Sequence, residues 1–422
     1  MEYNPIIFAP KWHSQTARCL LLTRACFFTI RRVKMVTVMN DFDYLGEDSI
    51  YLDSACQSLR PRPVIDALNE YYTQFNSCGE RVKYKWGIVT DQKVNETRKL
   101  VLDYLKLSSK HYFVSFTLNT TYGINLILDQ VRPELVKKVM TSDIEHNSPF
   151  LSTITFANKH GIEREIMVRN DDGSIDVDNY DFTGALVVVN SASNIDGRKL
   201  LNIKDLVKKV HKQGGIIIVD AAQAIAHVSE ALEKTEADAI CFSGHKMYAP
   251  SLGVMVVRRD MVPKIDTSFI GGGMVDDVDA ETYKLSADSP NHIYTKFESG
   301  LQAFGEIIAL GAAIKWLTGA KKHSQMDKYS QQLFDFLSNS PKIRLINREP
   351  TTTFAFYHEN IDAHLLSEAL SSENIMTRSG YFCCHYYLDH VKGYPPLVRI
   401  SLGLHNRQSD IDKVIEVLGR IA

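Results

Sequence analysis

A chain of 422 residues is long enough to bury a sizeable core in two domains. Its 48 lysines and arginines nearly balance 50 aspartates and glutamates, so charge offers nothing to attract nucleic acid or an anionic membrane surface. Seven irregularly spaced cysteines do not make a disulfide framework, and without a Cys-x-x-Cys pair no structural zinc site is expected; a reducing cytoplasm is the simplest setting.

The first 34 residues carry two lysines and four arginines against a single acid, Glu2, and an apolar patch from Cys19 to Ile30 is broken by Arg24. That patch is too short and too charged to span a membrane. Residues 1–40 therefore read as a basic leader, either a disordered extension upstream of a start at Met35 or Met39, or an organelle presequence. Helical periodicity follows at 63–75 and 91–107, then strands near 112–117, 138–141, 185–190, 215–220, 237–242 and 252–258, with helices between them. This is an α/β pattern, a mostly parallel sheet covered on both faces, in a large domain over 41–318 whose N-terminal segment can pack on the smaller domain. Gly271-Gly272-Gly273 opens a polar, Asp-rich loop to about residue 294. From 319 to 422, helices alternate with strands at 344–347 and 352–357, as in a smaller α+β domain. No internal repeat or low-complexity tract interrupts this order.

Chemistry concentrates at strand ends, where open α/β sheets bind ligands. Cys241-Phe242-Ser243-Gly244-His245-Lys246 puts a lysine beside hydroxyl and imidazole groups at the end of an apolar strand. Lys246 can form an imine with a phosphorylated aldehyde cofactor, pyridoxal 5'-phosphate, while Ser243 and His245 donate to its phosphate. Upstream, the buried strand Gly215–Val219 delivers Asp220-Ala221-Ala222-Gln223. Asp220 can pair with the pyridine nitrogen and keep it protonated, and Gln223 can hydrogen-bond the phenolic oxygen. The plainer alternatives are a solvated loop lysine and a helix-capping aspartate.

Together these residues resemble the pyridoxal-phosphate enzymes of the class V aminotransferase family, and among them the group II cysteine desulfurases and selenocysteine lyases. The resemblance runs from about Tyr51 to Ala422 and implies a fold-type I architecture. Tyr51-Leu52-Asp53-Ser54-Ala55 is similar to the family's opening strand. Thr120 and Thr121 match a threonine pair at a helix N-terminus, a ready phosphate cradle. His146, in Glu145-His146-Asn147, matches the imidazole that stacks on the pyridine ring and relays protons. Asn194, in a Ser-Asn-x-x-Gly turn, is implied to lie near the substrate carboxylate and the phenolic oxygen. Thr377-Arg378-Ser379-Gly380-Tyr381-Phe382-Cys383-Cys384 resembles the desulfurase loop, which makes Cys383 the candidate nucleophile, Arg378 a substrate-binding residue and Cys384 a resolving thiol or inert filler. Arg399 matches the arginine that grips the α-carboxylate through its planar fork.

Departures are equally specific. Tyr381 and Phe382 stand where the desulfurases usually carry two histidines, Leu301-Gln302 replaces Thr-Pro after Phe297-Glu298-Ser299-Gly300, and Gly79–Trp86 replaces the family's substrate segment. They leave cofactor binding untouched and put the substrate in question. The expected activity is that of a cysteine desulfurase, releasing alanine and leaving an enzyme persulfide, or of a selenocysteine lyase. A class V aminotransferase or a C–S β-lyase with an idle Cys383 is the alternative, and a non-catalytic scaffold on the same fold remains a third. The family further implies a homodimer, with the 271–294 loop near the partner's site, and a protein sulfur acceptor.

Overall fold

The computed structural model describes residues 38–421 except 47, 80, 81, 228–231, 290, 291, 322 and 323. The basic leader up to residue 37 and positions 80 and 81 of the 79–86 segment thus lie outside the described residues.

In chain order the fold begins β1 (Ile50–Tyr51), α1 (Arg62–Gln74), α2 (Lys85–Tyr104), β2 (Tyr112–Thr117), α3 (Thr120–Gln130), β3 (Lys138–Ser142), α4 (Asn147–His160) and β4 (Glu163–Met167). It continues with β5 (Ala185–Asn190), α5 (Ile203–Lys212), β6 (Ile216–Asp220), α6 (Ala224–His227), β7 (Ala239–Ser243) and β8 (Gly253–Arg258). A short hairpin, β9 (Val275–Val278) and β10 (Tyr283–Leu285), precedes the long helix α7 (Phe304–Ala320). The remainder is α8 (Met326–Asn339), β11 (Ile343–Leu345), β12 (Thr353–His358), α9 (Ala363–Ser372), β13 (Ile375–Met376), β14 (Arg378–Gly380), β15 (Leu397–Ser401) and α10 (Gln408–Gly419).

Seven strands form the main sheet in the order β2-β8-β7-β6-β5-β3-β4, and only β8 runs antiparallel to its neighbours. Its central strands are apolar on both faces because both faces are covered. Val187, Val189, Ile217 and Val219 point into a core shared with α1, α2 and α7, while Leu186, Val188, Ile216 and Ile218 point into a second core shared with α3 and α4. Strand ends carrying Asn190, Asp220 and Ser243 therefore come out together at one edge, at the C-terminal ends of parallel strands.

A second sheet, β11-β12-β15-β14, is antiparallel throughout and packs with α8, α9 and α10 around Phe354, Phe356, Val398 and Ile400. The N-terminal segment joins this region. Ile50 and Tyr51 pair in parallel with Ile375 and Met376, Asp53 bridges to Ser401, and Leu52 is buried in the same core. That pairing brings Asp53 to the β15 strand, which carries Arg399.

Two elements differ from the sequence pattern. The helix expected at 91–107 starts six residues earlier, at Lys85, and ends by Lys106, whose φ of 54° cannot continue a right-handed helix. Inside the 271–294 loop lies the β9–β10 hairpin, which has no apolar alternation to advertise it; Asp279 forms its turn by accepting from the N–H groups of Glu281 and Thr282. Among the described residues no helix is long and apolar enough to cross a membrane.

Candidate active site

One cavity of about 290 Å³ is lined by the sequence candidates Thr120, Thr121, His146, Asn194, Asp220, Gln223, Ser243, His245, Lys246, Arg378, Cys383 and Arg399, but not by Cys384. Sequence reasoning missed others that line it with them, notably Cys56, Asn119 and Ser148.

One wall is built from hydroxyls at the start of α3. Asn119 caps this helix by accepting from the Tyr122 N–H, which leaves both threonine hydroxyls free of capping duty. Ser243, at the end of β7, receives the Thr120 N–H at 2.9 Å and shares a 2.6 Å hydrogen bond with the Thr120 hydroxyl. Thr121 shares another with Ser148 at 2.6 Å. A helix N-terminus, three hydroxyls and His245 form a donor set suited to a phosphate. Burial first, then the charges of Lys246 and Arg60, lower His245 to about 4, so it is a neutral imidazole near pH 7.

The centre of the cavity holds Lys246 and Asp220. Desolvation pushes the Lys246 ammonium below its usual value, with the Asp220 charge opposing that shift. Desolvation likewise raises Asp220, against a hydrogen bond from the Ala222 N–H at 2.9 Å and the charge of Lys246. A lysine eased towards its neutral form is the nucleophile that an aldehyde requires. Gln223 donates to the Ala55 carbonyl at 2.7 Å, tying the turn after β1 to the end of β6.

His146 stands at the N-cap of α4. Its Nδ1 accepts from the Ser148 N–H at 3.0 Å, so the neutral ring carries its proton on Nε2. Burial, and then the positive charges of Lys246 and Arg399, lower it to about 3. Beneath it Glu145 is fully buried, accepts from Ser142 and the Asn190 N–H, and is raised to about 7 by burial. Arg169, whose charge acts on Glu145, is held down to about 10, again by burial.

The third wall comes from the second sheet. Arg399 is 3% exposed, donates to the Asn194 carbonyl and to Asp53 Oδ1 at 2.9 Å each, and stacks on the Phe382 ring at 4.9 Å. Its Nε has no hydrogen-bond partner among the described residues. Arg378 pairs with Arg399 across β14 and β15, and its guanidinium lies 3.9 Å from Asp53 Oδ2. One carboxylate thus sits between two arginines.

Past β14 the chain turns through Phe382 and Cys383 at φ of 49° and 59°, two successive left-handed residues without glycine's freedom. Surrounding bonds hold that strain. Asn194 Nδ2 donates to the Phe382 carbonyl at 2.7 Å, the Asn147 N–H to the Cys383 carbonyl at 2.6 Å, and the Cys384 N–H to Tyr381 at 2.8 Å. The consequence is a split pair of thiols. Cys383 is exposed at the cavity, whereas Cys384 is buried, donates to Asn194 Oδ1 and has its thiol pushed up by burial.

The fold and this cavity at its strand ends define the class, an α/β enzyme of fold type I. The aminotransferase class-V family model matches residues 50–414, and the chain belongs to that family, whose members depend on pyridoxal phosphate. It is 29% identical over 388 residues to a probable cysteine desulfurase of Pyrococcus abyssi, covering 89% of this chain and 94% of that one. It is 27% identical over 407 residues to a cysteine desulfurase of Pectobacterium atrosepticum, covering 93% and 98%. Among solved structures, the apo cysteine desulfurase of Thermococcus onnurineus NA1 superposes with a TM-score of 0.79 at 26% identity, over 91% of this chain and 97% of that one. The Escherichia coli desulfurase CsdA shares the fold with a TM-score of 0.80 at 21% identity, over 90% and 96%.

Proposed function

We propose that this protein is a pyridoxal-phosphate-dependent cysteine desulfurase, converting L-cysteine to L-alanine with the sulfur left on Cys383. The observation that carries this reading is an exposed cysteine, held on a strained loop, opening on the same cavity as Lys246 and Asp220. The residues present fit the cofactor. Thr120, Thr121, Ser243 and His245 would take the phosphate, Lys246 the aldehyde, Asp220 the ring nitrogen and Gln223 the phenolic oxygen. Bound there, pyridoxal phosphate supplies an electron sink for the substrate's α-carbon.

The chain's own residues do the rest. Arg399, buried and with one N–H of each terminal nitrogen given to Asn194 and Asp53, would offer its remaining N–H groups to the substrate carboxylate, with Arg378 and Asn194 beside it. Lys246, eased towards the free amine, can take the α-proton and return it. His146, neutral and protonated on Nε2, offers the cavity a hydrogen-bond donor without adding charge. Cys383 attacks the substrate sulfur: a sulfur–sulfur bond forms as the bond from sulfur to Cβ breaks, and the electron pair leaves with carbon. A homodimer and a thiol-bearing protein acceptor complete the proposal. Exposed Trp86 and Ile88 on α2 and Phe269 and Ile270 before the 271–294 loop support the first, and the exposure of Cys383 supports the second.

The test is to incubate cofactor-loaded protein with L-cysteine and a thiol reductant, measuring alanine and sulfide beside Cys383→Ala. Equal yields in the native protein, lost in the variant, are expected. Pyruvate with sulfide would replace this reading with a β-lyase, and undiminished alanine and sulfide from the variant would take Cys383 out of the sulfur transfer.

A further inference from the structure

The cavity holds a second thiol to which the desulfurase reading gives no task. Cys56 lies in the turn after β1, where its N–H donates to the Asp53 carbonyl at 3.0 Å, and it lines the cavity together with Lys246 and Cys383. Arg378 Nη1 donates to its Sγ at 3.3 Å. That arginine opens β14, the strand leading into the Cys383 loop, so one cation orients Cys56 and stands just ahead of Cys383 in the chain. The other described cysteines are placed differently. Cys241 and Cys384 are buried, the latter with its S–H committed to Asn194, and Cys78 does not line the cavity.

We propose that Cys56 is a relay thiol that takes the outer sulfur from a persulfide on Cys383, an inference that rests on the desulfurase reading. The Cys56 thiolate attacks the outer sulfur. A bond from Cys56 Sγ to that sulfur forms as the bond from it to Cys383 Sγ breaks, and the electron pair leaves with Cys383 as a thiolate. One sulfur–sulfur bond replaces another, so no oxidant or reductant is consumed, and the proton lost by Cys56 on ionising is available to Cys383. Arg378 supplies a guanidinium partner for the negative charge as it passes between the two sulfurs. The transfer empties Cys383 while the product sulfur is still on the enzyme, so a second L-cysteine can react before any acceptor arrives.

Cofactor-loaded enzyme mixed with excess L-cysteine, without reductant, then quenched with an alkylating agent and mapped by peptide mass spectrometry, tests the relay. The expected result is a persulfide adduct on the Cys56 peptide and a burst of two alanines per site. Cys56→Ser should cut the burst twofold and confine the adduct to Cys383, and Cys383→Ser should remove the adduct from both. An adduct on Cys383 alone in the native protein, with a burst of one, overturns the relay while leaving the desulfurase reading standing. An adduct on Cys56 that survives Cys383→Ser also overturns it, since the sulfur would then not pass through Cys383. Absence of alanine and of any adduct in the native protein brings down the desulfurase reading itself.

Discussion

Arg399 shows how much a single residue depends on its surroundings. Its two terminal nitrogens are held by the Asn194 carbonyl and Asp53, its face by Phe382, and its Nε has no hydrogen-bond partner among the described residues. A lysine would keep the charge but lose the fork and the stacking surface. Arg399→Lys is therefore expected to raise the KM for L-cysteine about tenfold or more, the scale of about 1.4 kcal/mol lost from a charge-assisted pair. The cofactor absorbance should persist, because no proposed cofactor contact runs through Arg399. Loss of that absorbance together with activity would show instead that the substitution collapses the wall of the cavity. Asp220, Ser243 and Lys246 were legible in the sequence because they sit in short motifs at the ends of strongly apolar strands, whereas Arg378, Cys383 and Arg399 stood out only through the resemblance to the family. Asp53 and Cys56 were not legible as partners of Arg399 and Arg378. They are more than 300 residues away in the chain and follow a two-residue strand, too short for any alternation to reveal its pairing.

At the scale of elements, the phosphate-binding wall depends on how closely β8 approaches the loop between β2 and α3. Gly253 opens β8 opposite Thr117 and Ser243, and a Cβ built there would lie 2.2 Å from Thr117 Oγ1 and 2.6 Å from the Asn119 backbone nitrogen. Backbone cannot swing aside as a long side chain can. Gly253→Ala should push Asn119 and Thr120 away from Ser243, costing about 1–3 kcal/mol of stability as overpacking usually does. It should also weaken cofactor affinity, measured by titrating the cofactor-free protein and following absorbance. An unchanged affinity would mean that the loop relaxes without moving the donor set. The same elements mark how far sequence patterning reaches. β2 and β5 emerge with the bounds that their apolar runs implied, because a strand buried on both faces announces itself. The β9–β10 hairpin does not, because its mostly exposed residues are fixed by the Asp279 turn rather than by burial.

Across the whole molecule, buried titratable groups set how stability responds to pH. His146 is lowered to about 3, and His227, His245 and His405 to about 4, in each case chiefly by burial. His405 is the simplest case: 1% exposed, its Nε2 donates to the Tyr51 carbonyl, and its Nδ1 has no hydrogen-bond partner among the described residues. Unfolded, these rings bind protons below about pH 6.5. Folded, they stay neutral until the pH reaches their lowered values. Between about pH 6.5 and 4 the unfolded chain therefore holds more protons, and stability falls as pH falls. Glu145 acts in the opposite sense. Raised to about 7, it stays protonated in the folded state where an unfolded glutamate ionises, so it costs stability as pH rises through 4.5 to 7. Asp220 and Asp143, also raised by burial, act in the same sense as Glu145, and four histidines against three carboxyls leave the balance with the imidazoles. The urea midpoint of the cofactor-free protein should be lower at pH 5 than at pH 7, and His405→Gln should flatten that slope by removing one term of at most about 2 kcal/mol between those pH values. The variant will itself be less stable at pH 7 because it disturbs a packed site, so the slope rather than the midpoint is the quantity that decides. A slope unchanged by His405→Gln would mean that this ring takes up its proton in the folded protein as readily as in the unfolded one, and that its burial does not hold it neutral.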